Sequence, residues 1–193
     1  MNYENEIKKY YELLQKTINE LDLNEISEAM NIIYKAYQKG VNIYICGNGG
    51  SASTASHFAN DFNKGISEYL DKKFNFIALT DNIATIMAIA NDIGYDDVFS
   101  FQLDGHITKD DILIAISGSG NSSNIIKAVE KAHENNATVI GISGYKGGKL
   151  KSIANYHMHV DIENMQIVED IHMTFDHMMM SIFKNQLIKK INK

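Results

Sequence analysis

Apolar positions recur with two different periods along this chain, and each change of period marks a change between helix and strand. Over residues 3–21 the apolar side chains return every three or four positions, which predicts an amphipathic helix. Asn24 is a suitable cap for a second helix, which is expected to end near Gly40. Residues 41–46 then form a short β-branched run that glycine stops, as is typical of a buried parallel strand.

The same alternation continues towards the C-terminus. Further strands are predicted over 74–79, 112–116, 138–143 and 156–160, and further helices over 51–63, 82–90, 123–134 and 164–191. Strands that alternate with helices at this spacing predict a parallel sheet covered on both faces. We therefore expect an α/β fold, a three-layer sandwich with a mainly parallel five-stranded sheet, as a single domain over residues 1–193.

The last predicted helix carries apolar residues on nearly every side. Methionine, isoleucine, phenylalanine and leucine leave it little polar face between residues 164 and 191. A helix of this kind must be buried on most sides. In a domain of this size the pattern favours an interface between copies of the chain over burial in the chain's own core.

Composition narrows the class of protein. The chain has 193 residues, 45% hydrophobic and 22% charged, as is usual for a soluble globular protein. Its polar, acidic first residues and its single cysteine, Cys46, favour a cytoplasmic location, and no apolar run is long enough to predict a membrane helix. The formal net charge of −6 argues against nucleic-acid binding, and the C-terminal lysines (Lys184, Lys189, Lys190 and Lys193) are interpreted as a solvated helix end.

A glycine-rich segment, residues 47–51, lies directly between a predicted strand and a predicted helix. Glycines allow the backbone to approach a ligand closely, and the following helix offers unpaired N–H groups to an anion. The segment matches neither the G-x-G-x-x-G pattern of dinucleotide sites nor the lysine-containing loop of nucleotide triphosphatases. A tight turn alone accounts for one glycine, not for three glycines together with Asn48 and Ser51.

A serine-rich segment, residues 117–123, occupies the equivalent place after a later strand. Its four hydroxyl groups and turn amides are neutral donors suited to a small dianion such as a phosphomonoester. Both segments are expected at the carboxyl ends of strands in one sheet, which is where ligands bind in open α/β folds.

Four titratable residues have a spacing that points to chemistry. His57 and Asp61 are four residues apart, and Glu169 and His177 are eight apart, so each pair shares one face of its helix. Two imidazoles and two carboxylates can bind zinc or another divalent metal. A carboxylate base and an imidazole acid equally suffice to move a proton between neighbouring carbons of a sugar. His172 is a nearby third imidazole without an assigned role.

The two segments, together with Ser51-x5-His57-Phe58-Ala59 and Asn91-Asp92-x-Gly94, resemble the sugar-isomerase (SIS) superfamily, and within it the sedoheptulose-7-phosphate isomerase family. The resemblance covers nearly the whole chain. It implies a flavodoxin-like SIS fold, a phosphorylated sugar as substrate, and a homotetramer with active sites at its interfaces to which helices in residues 1–40 contribute.

The resemblance also implies roles for individual residues. The catalytic residues would be Asp61, Glu169 and His177. The ligands of a metal, zinc or another divalent ion, would be His57, Asp61, Glu169 and His177. Substrate contacts would come from Asn48, Gly49, Gly50, Ser51, Asn91, Asp92, Ser117, Gly118, Ser119, Ser122 and Glu169. The function it implies is interconversion of sedoheptulose 7-phosphate and D-glycero-D-manno-heptose 7-phosphate for surface polysaccharide synthesis. The alternatives are an isomerase of another phosphosugar and a non-catalytic scaffold that associates with the replication initiator.

The chain departs from that family's usual pattern in three places. Asp61 stands where glutamate is usual, and Glu169 stands where glutamine is usual. Either carboxylate is therefore a candidate for the catalytic base, and the pair is a candidate for firmer metal binding. The segment Asn63-Lys64-Gly65 stands where Thr-Gly-Arg is often found, so an arginine is missing, and Lys64 is expected to replace it as a point charge.

Overall fold

A computed structural model describes the backbone of residues 1–191 and the side chains of residues 1–188. Lys189, Lys190 and Lys193, interpreted above as a solvated helix end, lie outside the described side chains.

The five predicted strands form one sheet, and every neighbouring pair is parallel. The strands are β1 (Ile43–Cys46), β2 (Phe76–Ala78), β3 (Ile112–Ser117), β4 (Thr138–Ser143) and β5 (Tyr156–His159). Their order across the sheet is β2-β1-β3-β4-β5. The α/β fold class expected from the sequence is confirmed.

The helices alternate with these strands. They are α1 (Glu4–Asn19), α2 (Leu23–Lys39), α3 (Gly50–Asn60), α4 (Ile83–Asp92), α5 (Ser100–Leu103), α6 (Ser123–Glu134), α7 (Gly148–Ile153) and α8 (Met165–Ile191). A π-helical turn (Asp61–Ile66) continues α3 and leads into a 3₁₀ turn (Ser67–Tyr69), and a second 3₁₀ turn spans Tyr95–Asp97. The sequence missed α5 and α7 because elements this short show no helical period.

The helices cover both faces of the sheet. Along β3, Ile112, Ile114 and Ile116 belong to the core shared with α2, α3 and α8. Leu113 and Ala115, which alternate with them, belong to the core shared with α4, α6 and α7. Since successive side chains of a strand point to opposite faces, this alternation produces the three-layer sandwich.

Helix α2 begins at Leu23, two residues earlier than a cap at Asn24 predicts. Asp22 is its cap, and its carboxylate accepts hydrogen bonds from the backbone N–H groups of Asn24 and Glu25 at 2.9 and 3.2 Å. The helix ends at Gly40 as expected, with φ of +75° in the left-handed region. Aspartate and asparagine are almost equivalent caps, so the sequence could not distinguish the two positions.

The apolar character of α8 is explained largely within the chain itself. Its buried apolar residues are Ile167, Val168, Ile171, Phe175, Met179, Phe183 and Leu187. All of them belong to the core that α8 shares with α2, α3 and the sheet. Burial in the chain's own core therefore accounts for much of the helix's apolar surface, and a subunit interface along its other sides stays a prediction. Over the described residues, no helix is both long enough and apolar enough to cross a membrane.

The strand order fixes where a ligand can enter. The chain runs from β1 outward to β2 and then returns across β1 to form β3 on its other side. The connections after β1 and β3 therefore leave opposite faces of the sheet and open a crevice at its carboxyl edge. The glycine-rich and serine-rich segments are those two connections.

Candidate functional site

Two helices begin at this crevice without a side-chain cap. Gly49 occupies the N-cap position of α3 with φ of +52°, and Ser122 occupies that of α6 without making a capping hydrogen bond. The first backbone N–H groups of both helices are thus not engaged by a capping side chain. Helix N-termini in this condition bind anions well.

The serine-rich segment is held in one shape by its own hydrogen bonds. Ser117 Oγ accepts a hydrogen bond from the Gly120 N–H at 3.1 Å and lies 3.3 Å from Ser122 Oγ. Gly120 has φ of +68°, and a Cβ atom there would come within 1.9 Å of the Gly147 carbonyl oxygen. The segment therefore packs directly on the turn before α7, and only glycine fits at this contact.

A cavity of about 180 Å³ lies between the two segments. Its lining residues are Asn48, Ser51, Ile116, Ser117, Gly118, Ser119, Ser122, Met165 and Glu169. Hydroxyl, amide and backbone donors predominate, and no lysine or arginine of the described chain lines it. Such a cavity is suited to the phosphate of a phosphomonoester, which neutral donors can hold by hydrogen bonds alone.

A pair of asparagines joins the two halves of the crevice. Asn48 and Asn124 exchange two amide hydrogen bonds of 2.8 and 2.9 Å. Tyr95 donates a third bond, of 2.9 Å, to Asn48 Oδ1. Asn124 is only 2% exposed, so this network fixes Asn48 from the protein interior.

A second group of polar residues lies where α3 and its π-helical extension meet α8. Ligand atoms of His57, Asp61, Asp176 and His177 all lie within 4.8 Å of one another. The Nε2 atoms of His57 and His177 are 3.1 Å apart, and His57 Nε2 is 3.6 Å from Asp61 Oδ2. Imidazole nitrogens and carboxylate oxygens at such spacing form a donor set that fits a divalent cation.

Asp176 is the unexpected member of this group. Its side chain is fully buried, and neither carboxylate oxygen has a hydrogen-bond partner. Burial, and then the neighbouring charge of Asp61, raise the pKa of Asp176 to about 7. Buried polar atoms are nearly always paired, so an orphaned carboxylate beside two imidazoles is the feature that best fits a divalent cation.

Glu169 lies apart from this group, although the sequence placed it among the metal ligands. Its carboxylate lies against Gly50, where an added Cβ atom would come within 2.7 Å of Oε1. It therefore lies beside the first turn of α3 and lines the cavity between the two segments. Of the four predicted ligands, the structure brings His57, Asp61 and His177 together.

Four other candidates lie elsewhere. Asn91 and Asp92 are exposed at the end of α4, are hydrogen-bonded to each other at 2.7 Å, and do not line the cavity. Lys64 pairs with Glu68 on its own helical turn. His172 is 1% exposed and has no hydrogen bond at either ring nitrogen, and burial lowers its pKa to about 4.

Comparison with known proteins agrees with this architecture. Residues 2–144 match the SIS domain family. The chain is 34% identical over 182 residues to the phosphoheptose isomerase of Aliarcobacter butzleri, which covers 94% of this chain and 95% of that protein. It is also 34% identical over 164 residues to the phosphoheptose isomerase of Rhodospirillum rubrum, covering 84% of this chain and 86% of that protein. The chain belongs to the phosphoheptose isomerase family of SIS-domain proteins.

Solved structures of phosphoheptose isomerases share the same fold. The protein from Francisella tularensis superposes with a TM-score of 0.87 at 30% identity, over 96% of this chain and all of that chain. The protein from Neisseria gonorrhoeae also gives 0.87, at 27% identity, over 95% of this chain and all of that chain. This family member is therefore an isomerase of a phosphorylated sugar.

Sequence reasoning missed three residues of the site in this phosphoheptose isomerase family member. Asp176 was passed over because it stands in a helix that is otherwise mainly apolar, although a carboxylate next to His177 was itself a signal. Asn124 and Tyr95 carry no motif. Only the folded chain shows that they contact Asn48.

Proposed function

We propose that this protein interconverts sedoheptulose 7-phosphate and D-glycero-D-manno-heptose 7-phosphate as an aldose–ketose isomerase. The observation that carries the proposal is the cavity in which two uncapped helix N-termini and serine hydroxyls meet one carboxylate, that of Glu169. The relatives named phosphoheptose isomerase support the choice of substrate.

The serine-rich segment is proposed to hold the phosphate. Ser117, Ser119 and Ser122 offer hydroxyl donors, Gly118 allows close approach of the backbone, and the N-terminus of α6 offers N–H groups. From there the open-chain sugar would extend past Asn48, Gly49, Gly50 and Ser51 along the junction of α3 and α8.

Glu169 is proposed as the catalytic base, because Asp61 is engaged in the group formed with the two histidines. It would remove a proton from C1 of the ketose and so form an enediolate. Return of that proton to C2, with transfer of a hydroxyl proton from O1 to O2, gives the aldose.

A divalent cation such as zinc is proposed at His57, Asp61 and His177, and when bound it would act as a Lewis acid on the carbonyl oxygen. This assignment gives His177 a ligating role in place of the proton relay expected from the sequence. His57 and His177 already direct their Nε2 atoms towards each other, as two ligands of one ion would.

The test is exchange of a carbon-bound proton. The purified full chain, incubated with sedoheptulose 7-phosphate in deuterated water, is expected to incorporate one deuterium at C1 or C2 and to produce the aldose, as followed by NMR. A chelator should suppress both the deuterium incorporation and the formation of the aldose. Exchange with a different phosphosugar only would assign another substrate. The absence of exchange with every sugar would favour the non-catalytic scaffold.

Replacement of Asn124 with alanine is expected to raise KM for the phosphosugar about tenfold, with kcat little changed. The substitution leaves the amide of Asn48 without its buried partner and so loosens the phosphate-binding crevice. Steady-state kinetics measures the two constants. Asn135→Ala, at the other end of α6, is the control and should leave both unchanged. An equal rise in KM in the two variants would refute the role of Asn124 in positioning Asn48.

We further propose a homotetramer whose active sites lie between subunits. Large apolar side chains are exposed on the outer helices, among them Ile7, Tyr11 and Ile18 on α1 and Ile83 and Met87 on α4. Light scattering should then give four times the mass of one chain, and a monomeric mass would contradict the proposal. The cytoplasmic location and the lack of nucleic-acid and membrane partners stay predictions.

A further inference from the structure

Asp176 is an acidic side chain in a place where nothing in the described chain neutralises it. It is fully buried, its two oxygens accept no hydrogen bond, and the nearest basic atom among its ion-pair contacts is His57 Nε2 at 3.8 Å. That distance is too long for a hydrogen bond. A buried carboxyl group is costly whether charged or neutral when neither oxygen has a partner, so its retention here requires a physical reason.

Protonation of His57 alone does not supply that reason. Asp61 approaches the same His57 nitrogen at 3.6 Å, so one imidazolium would face two carboxylates and leave a net negative charge. The second imidazole, His177, directs its own Nε2 at His57 Nε2 at 3.1 Å, where two cationic rings would repel each other. A doubly charged ion between neutral imidazoles and two carboxylates would balance the charges of the group instead.

The donor set indicates the kind of ion. Two nitrogens and two oxygens within 4.8 Å suit a borderline divalent metal such as zinc, which favours four ligands of this type. Helix α3 with its π-helical extension supplies His57 and Asp61, and α8 supplies Asp176 and His177. All four belong to one chain.

We propose that Asp176 is the fourth protein ligand of the metal and that Glu169 is not a ligand at all. The metal centre is then complete within a single chain, and Glu169 stays free beside Gly50 to act on the substrate. This inference rests on the proposed function only where it concerns the catalytic use of the metal. Metal binding itself needs no substrate.

The experiment measures metal binding without substrate. Metal-free full-length protein is titrated with Zn²⁺ against a chromophoric chelator, and with Co²⁺ while the visible absorption of the bound ion is recorded. Asp176→Asn is expected to weaken zinc binding by about 100-fold and to change the cobalt spectrum. The matched controls, Glu169→Gln and Glu169→Ala, should bind both metals as the wild type does, and alanine leaves no oxygen that could ligate.

Folding is controlled separately. Since Asp176→Asn removes a buried charge and keeps the shape of the side chain, the metal-free variant should unfold at the same temperature as the metal-free wild type or higher. Asp176→Ala serves as a second variant, because asparagine keeps an oxygen that can ligate weakly. Zinc should raise the unfolding temperature of the wild type and of Glu169→Gln more than that of either Asp176 variant.

Three results would overturn the inference. The first is wild-type zinc affinity in both Asp176 variants, and the second is loss of affinity in either Glu169 variant. The third is a wild-type protein that binds neither zinc nor cobalt. A protein that binds metal through Asp176 but does not isomerise heptose phosphates would refute the proposed function and leave this inference intact.

Discussion

Glu169→Gln is expected to lower kcat for the isomerisation by about 10²- to 10⁴-fold, the usual contribution of a positioned general base. Glu169 is the carboxylate that lines the cavity, and glutamine keeps its size and its contact with Gly50 while removing its capacity to accept a proton. Rates of aldose formation and of deuterium exchange, measured at saturating substrate, report the effect.

Asp170→Asn is the matched control for this substitution. Asp170 is the next residue of α8, is exposed, does not line the cavity, and accepts a hydrogen bond from Tyr10 at 2.6 Å. Its replacement should leave kcat unchanged. If Glu169→Gln retains full activity while Asp61→Asn loses it with metal still bound, the base is Asp61 and the assignment made here is wrong.

His172 is expected to make the folded protein sensitive to acid. Its pKa is about 4 in the folded state, below the ordinary value of 6.5, so the unfolded chain binds more protons between those two pH values. The free energy of unfolding should therefore fall as pH decreases from about 6.5 to 4, by up to about 3 kcal/mol from this residue alone. Its stabilising contribution is complete above pH 6.5.

The measurement is urea unfolding between pH 4.5 and 7 of the wild type and of His172→Leu. Leucine has nearly the same volume and no ring nitrogen left without a partner, so the variant should show a shallower dependence on pH by about 1.4 kcal/mol per unit. Burial also lowers the pKa of His157 and His159, but both residues are present in both proteins and cancel in the comparison. Parallel curves would show that His172 does not titrate in this range.

The cavity that Glu169 lines and the group that includes His177 lie at different positions along α8. Glu169 and His177 are eight residues apart on α8, a rise of about 12 Å. The first faces the crevice at the carboxyl edge of the sheet, and the second meets α3 further along. A phosphate bound at the serine-rich segment would place the carbon chain of the sugar alongside this helix, which is why an open-chain substrate suits the arrangement.

Local patterns determined most of the fold. Strands β1, β3 and β4 were predicted because short β-branched runs that end at glycine are typical of buried parallel strands. The two anion-binding segments followed from the same reasoning, since glycine and serine between a strand and a helix have few other uses. These features depend only on residues close together in sequence.

Tertiary structure decided which groups meet. Asp176 and His177 are neighbours in sequence and therefore point about 100° apart on a helix, so periodicity alone could not place both beside His57. Glu169 shares a helical face with His177, yet the Glu169 carboxylate lies in the crevice, against Gly50 at the start of α3. Helix α8 also packs into the interior of the chain, because α2 and α3 pack with it on the same face of the sheet. Helical spacing determines the direction in which a side chain leaves its own helix. The residues that the side chain contacts depend on how separate helices pack, and the whole core decides that packing.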